Sequence, residues 1–220
     1  MPNWVMNELT CIFQTVEEYN AFKTKVAEKN QNEEEEFFNI FFTMPEVLEG
    51  TQSPSVNVPK LIADFNKETG KSVTTLQEIV EANHQWFSST AKAGIQNQLA
   101  FSSTGFSNWY DWNITNWGVK WDASELNTKE LPDFNTVIYS FNTPWDTPET
   151  FVKRLSSLYP NATFEMVSGS IENDTHYEFT CENGKYEETC SYGSFQEAVE
   201  DGKWGGMSEW AVLFEESEEV

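Results

Sequence analysis

Cationic side chains are scarce in this sequence: 13 Lys and Arg stand against 36 Asp and Glu, for a formal net charge of −23. A protein that neutralises a phosphate backbone needs the opposite balance, so direct nucleic-acid binding and adhesion to anionic membranes are not expected. Long apolar runs are missing too, and nothing approaches the roughly 20 residues that span a bilayer. The opening MPNWVMNELT has no basic start followed by an apolar run, which predicts no secretory leader and a cytoplasmic location. Histidine is limited to His84 and His176, too far apart in sequence to suggest a transition-metal site, and neither a metal nor an organic cofactor is expected. No G-x-G-x-x-G, P-loop or G-x-S-x-G occurs.

Three cysteines (Cys11, Cys181, Cys190) follow no metal-like spacing. Asn183-Gly184 reads as a tight hairpin turn, which would set Cys181 opposite Tyr186 and Cys190 opposite Tyr177. The two sulfurs would then be about 13 Å apart along the ladder at ordinary strand rise. A disulfide needs Cα atoms within about 7 Å, so reduced thiols are expected.

Aromatic residues are abundant at 15% of the chain, and four of the 9 tryptophans crowd into Gly105–Asp122, GFSNWYDWNITNWGVKWD. Ser107 is placed to cap a short helix beginning at Asn108, and Gly118 to end it. Trp109, Trp112 and Asn116 share one face of that helix. Two readings stand. The rings are core, joining two halves of a domain; or Trp109, Asp111, Trp117, Lys120, Trp121 and Asp122 form a ligand-binding platform for sugars or bases. Lys120 is expected over Trp117 or Trp121 as a cation–π contact. Carboxylate pairs such as Asp111 with Asp122, or Asp146 with Glu149, carry no signal among 36 acids, and no catalytic residue is assigned.

Before the aromatic stretch, Asn3–Phe13 reads as a strand of uncertain register. Thr15 then caps a helix with Val16, Tyr19, Phe22 and Val26 on its apolar stripe. The acidic run NQNEEEE follows, and FFNIFFT (Phe37–Thr43) suits a buried strand ended by Pro45. From Pro54 the pattern turns helical: one helix ends at Gly70, and a second runs from Thr75 to about Ala93 with Gly94 ending or interrupting it. Residues 54–104 thus read as a helical insertion in a single α+β domain spanning 1–220. After a polar loop at Ala123–Asp133, Phe134–Asn142 alternates as a strand, and Thr147 caps a helix with Phe151, Val152, Leu155 and Leu158 buried. Ala162–Ile171 returns as a strand. The chain closes with a hairpin (Thr175–Glu182, Lys185–Ser191), a short helix at Ser194–Asp201, a strand at Met207–Phe214 and an acidic tail, 215–220, expected to fray.

MPNWVMNELT, FFTMPEVLEGT, the NWG-x-KW part of the aromatic stretch and YSFNTPWDTPETFVKRLSSLYPNATF together resemble plasmid- and phage-borne proteins of the YubB kind, over residues 1 to about 165. The resemblance implies a ferredoxin-like domain and a setting on mobile genetic elements. It implies no activity and no catalytic residues. Asn113 stands where similar proteins often carry a cysteine. The expected architecture is therefore α+β: ferredoxin-like β-α-β repeats with a helical insertion and an added C-terminal β-hairpin.

The charge offers the other functional lead. From Pro160 onward the only cations are Lys185 and Lys203. Glu178, Glu182 and Glu187 are expected on the outward side of the hairpin, where carboxylates at strand spacing imitate phosphates or grip a basic partner. The first functional expectation is a non-enzymatic accessory protein that binds a basic host protein, inhibiting a defence or nucleic-acid-binding protein. The alternatives are a small-ligand or carbohydrate module (or enzyme) using the tryptophans, and a structural protein of a mobile element. Oligomeric state is not specified.

Overall fold

A computed structural model describes residues 3–29, 36–192 and 194–200, so the strand expected at Met207–Phe214 and the tail at 215–220 lie outside the described residues. The fold is α+β. The chain divides into two compact units: Met1–Phe41 with Trp117–Val220, and Phe42–Asn116.

The first unit is built on a six-stranded sheet. Its strands are β1 (Trp4–Ile12), β2 (Ser124–Leu131), β3 (Thr136–Pro144), β4 (Thr163–Ser170), β5 (Thr175–Glu182) and β6 (Lys185–Tyr192), in the order β2-β3-β1-β4-β5-β6. Every neighbouring pair is antiparallel. It follows that β1 runs parallel to β2 with β3 between them, and β3 parallel to β4 with β1 between them.

The period of two settles the register that β1 alone left open. Val5, Asn7, Leu9 and Cys11 are buried on one face, aligned across the ladders with Tyr139 and Phe141 of β3 and with Phe164 and Met166 of β4. Helix α1 (Val16–Lys29) lays Phe22 onto Tyr139 and Phe164 of that face, with ring centroids 6.1 and 6.4 Å apart. Its N-terminus is held as the sequence predicts: the Glu18 N–H donates to Thr15 Oγ1 at 3.2 Å. The β3–β4 connection runs through α7 (Glu149–Leu158), which buries Phe151, Val152 and Leu155. Helix α7 lacks the expected Thr147 side-chain cap; Pro148 is the capping residue, and the Phe151 N–H instead donates to the Trp117 carbonyl at 3.2 Å.

Two segments of this unit differ from expectation. FFNIFFT is not a strand: Phe38–Phe41 form a one-turn helix, α2. Phe37 and Phe38 are both fully buried, which two successive strand positions on a one-sided sheet would not allow. The polar stretch expected as a loop contains β2, an edge strand with a bulge between Ser124 and Asn127. Its SELNTKEL sequence has no apolar alternation because an edge strand buries little of either face.

The hairpin forms as expected. Asn183 (φ 46°) and Gly184 (φ 73°) make the two-residue turn, and Cys181 pairs with Tyr186. A bulge beyond Phe179 then shifts the ladder, so Cys190 faces Glu178 rather than Tyr177. Cys11 and Cys181 are free, buried thiols.

The second unit is helical. In α3 (Val58–Thr69), Asn57 accepts from the Lys60 N–H and Gly70 closes the helix in the left-handed region. Thr75 and Glu78 form a reciprocal capping box on α4 (Leu76–Glu81). The second expected helix is two. The chain breaks at Asn83 (φ 52°) and resumes as α5 (Gln85–Thr104), which runs through Gly94 and ends at Gly105. Gly94 is a packing residue: a Cβ there would meet Leu76 Cδ1 at 3.0 Å. Leu61, Phe65, Leu76, Ile79, Phe87 and Ala91 form this unit's core. Helix α6 (Trp109–Asn116) follows, started by Asn108 rather than Ser107: Asn108 Oδ1 accepts from the Asp111 N–H at 2.9 Å.

Candidate functional site

The Gly105–Asp122 stretch is divided between the units, and its parts are differently employed. Within the helical unit, Asp111 is exposed on α6, where its carboxylate accepts from Asn108 Nδ2 at 2.8 Å. Trp109 is half-buried, and its backbone N–H donates to Thr51 Oγ1 at 3.0 Å.

Within the sheet unit, Trp117 is core. It is 4% exposed and packs on Phe38 with centroids 6.1 Å apart. Asp122 is a helix cap acting from a distance in sequence. Its carboxylate accepts from the backbone N–H groups of Phe37 (3.1 Å), Phe38 (2.7 Å) and Asn39 (2.9 Å), and from Ala123 (2.7 Å). Burial holds the Asp122 carboxyl above the usual range, and these four amides oppose that shift only in part. Trp117–Asp122 therefore serves two helix starts: the Trp117 carbonyl at α7 and the Asp122 carboxylate at α2.

Trp121 and Lys120 point elsewhere. Lys120 Nζ lies 4.4 Å from the Trp121 ring centroid and 4.8 Å from that of Trp145. The expected cation–π contact thus forms with Trp121, and Trp145, distant in sequence, supplies a second ring. Both indoles are exposed, at 42% and 44%.

The carboxylates sort by strand register. Glu178 and Glu182 alternate against the buried Phe179 and Cys181 of β5, and Glu187 is level with Thr180. All three project from the sheet face opposite the one that α1 covers. Extending each row across the ladders adds two more acids. One row reads Lys129, Ile138, Thr10, Glu165, Thr180, Glu187; the next reads Asn127, Ser140, Glu8, Val167, Glu178. The face thus bears Glu8, Glu165, Glu178, Glu182 and Glu187, with Lys129 and Lys185 as cations. At a strand separation of about 4.8 Å, Glu165 and Glu187 stem from points about 9.6 Å apart, as do Glu8 and Glu178.

These acids are not equivalent. Glu165, Glu182 and Glu187 are exposed. Glu182 accepts from Thr163 Oγ1 at 2.7 Å, and Glu178 lies 3.2 Å from Nε2 of the buried His176. Glu8, in the middle of the sheet, is half-buried; burial raises its pKa, and the Lys129 charge only partly opposes that. Glu8 and Glu165 were readable only once β1 and β4 had a register, since each sits at an outward position of its strand.

Among the described residues, no group of three or more His, Cys, Asp and Glu side chains could hold a metal ion, and no helix is long and apolar enough to cross a membrane. The burial of Cys11 and Cys181 raises both thiol pKa values, Cys181 to about 11, which makes neither a nucleophile at neutral pH.

No protein-family model matches the sequence, and no curated protein matches it. The structure is similar to the crystal structure of protein api92 from Yersinia pseudotuberculosis, described under the family model DUF1281. The TM-score is 0.43 at 10% sequence identity, covering 88% of this chain and 99% of that one.

Proposed function

We propose that this chain is a binding protein that engages a basic protein partner through the sheet face opposite α1. The observation that carries the reading is the gathering of Glu8, Glu165, Glu178, Glu182 and Glu187 on one face by register, in a chain of net charge −23. A rigid ladder fixes the spacing of these carboxylates, so a partner with complementary cations binds without ordering them first, and the field of the whole chain speeds encounter. The strand order β2-β3-β1-β4 with helices in the β1–β2 and β3–β4 connections supports a ferredoxin-like domain extended by the β5–β6 hairpin. The mobile-element setting implied by the YubB resemblance makes the partner a host protein. A nucleic-acid-binding or defence protein is the concrete case, since its site is already shaped for a row of anions.

The test is affinity capture from host lysate at low and high salt. The wild type is compared with Glu178→Lys/Glu182→Lys/Glu187→Lys and with Glu165→Lys/Glu182→Lys/Glu187→Lys, which spares the His176 contact. The reading requires a salt-sensitive basic partner that both variants lose while keeping their fold. A partner retained by both variants overturns it.

A further inference from the structure

Trp121 and Trp145 stand with ring centroids 5.6 Å apart and planes inclined at 41°, and one ammonium, Lys120, lies against both rings. Neither ring is placed loosely. Trp145 follows β3 with φ at 66°, a left-handed conformation that bulky residues rarely adopt. It is fixed there by its own N–H, which donates to the Asn3 carbonyl at 2.8 Å, and by Thr143 Oγ1, which donates to the Asp146 carbonyl at 2.7 Å. Trp121 is tied by its neighbour Asp122, whose carboxylate is bound to the start of α2. Two exposed indoles are thus set at a spacing at which one cation touches both, and the chain itself supplies a cation that does so.

We propose that the Trp121–Trp145 pair is a docking site for an arginine side chain of a partner, and that Lys120 is its built-in occupant, displaced on binding. The choice of guanidinium follows from the two cations' chemistry. An ammonium is a compact, strongly hydrated charge that returns readily to water, whereas a guanidinium is planar, weakly hydrated and stacks on aromatic faces. The exchange therefore favours arginine over Lys120, and the net charge of −23 raises the local concentration of cations. The site shares no residue with the acidic sheet face, so it stands or falls separately from that reading.

The experiment is a titration of the whole chain with N-acetyl-arginine amide, following the indole N–H signals by NMR. The signals are assigned with Trp121→Phe and Trp145→Phe. The Trp121 and Trp145 signals should shift saturably, and N-acetyl-lysine amide should act more weakly. Removing the occupant in Lys120→Ala should lower the midpoint by at least about two- to five-fold, the worth of one of its two exposed cation–π contacts. Trp145→Ala, checked for an unchanged melting midpoint, should abolish the Trp121 response; Trp145→Leu repeats the test if the alanine variant is unstable. Shifts that fail to saturate or spread evenly over the tryptophans overturn the proposal, as does a midpoint unchanged in Lys120→Ala.

Discussion

The Asp122 carboxylate lies 2.7 Å from the backbone nitrogen of Phe38, a residue 84 positions earlier in the chain. This one side chain closes the start of α2 and so determines where Phe37 and Phe38 go. Both rings enter the core, Phe37 against Tyr139 at 4.8 Å and Phe38 against Phe151 at 4.4 Å. A one-turn helix has almost no stability of its own, because nucleation fixes several residues for a single hydrogen bond. Asp122 supplies what α2 cannot.

Asp122→Ala should therefore be costly. It strands the amides of Phe37, Phe38, Asn39 and Ala123, and an orphaned buried donor costs about 1–3 kcal/mol. Asp122→Asn keeps one acceptor oxygen and should lose less. Urea denaturation midpoints of the three proteins, taken at one pH, give the order wild type, Asn, Ala. An alanine variant as stable as wild type would remove the capping role.

The pH dependence of stability should carry a mark from Glu8. Burial raises its folded-state pKa above the unfolded value of about 4.3, so folding favours the protonated form. The sign follows: the associated stability is fully present below the unfolded value and is lost as pH rises through the folded one. Glu8→Gln fixes a neutral side chain of the same shape. It should melt higher than wild type at pH 7, with the difference vanishing below about pH 4. Adding Lys129→Ala should widen the difference at pH 7, because Lys129 is the charge that favours ionised Glu8. Equal melting points across this range would mean that the centre of the sheet face is wetter than the structure has it.

What could be read from sequence was local, and what could not was long-range. Val137, Tyr139 and Phe141 alternate within their own strand, and Asn183-Gly184 dictates its turn from two residues, so β3 and the hairpin were legible. Capping of α3 by Gly70 and of α4 by Thr75 was legible for the same reason. Helix α2 was not, because the group that makes it a helix is Asp122, far off in sequence. Strand β2 was not, because a polar edge strand is defined by its partner β3 and not by its own pattern. The same division runs through the acidic face. Glu178, Glu182 and Glu187 could be placed from the hairpin alone. Glu8 and Glu165 joined them only through the β1–β4 pairing, in which Thr10 stands opposite Glu165. Trp145 belonged to Trp121 only through space.

The aromatic stretch itself separates into rings with opposite duties, and mutation should show the separation. Trp117 is 4% exposed and packs against Phe38, so Trp117→Ala leaves a cavity beside the α2–α7 contact and should cost about 3–5 kcal/mol. Its carbonyl still accepts from Phe151, since backbone bonding survives the substitution, so the loss reports the ring alone. Trp121 is 42% exposed, and its ring touches Trp145 and Lys120 rather than the core aromatics. Trp121→Ala removes one exposed ring contact and one cation–π contact, together about 1–2 kcal/mol, and most of that returns as rehydration of Lys120. Equilibrium unfolding of the two variants should therefore differ by at least about 2 kcal/mol in the free energy lost, with Trp117→Ala the less stable. Equal losses would place Trp121 in the core with Trp117 and leave the exposed pair without a ring to spare for a ligand.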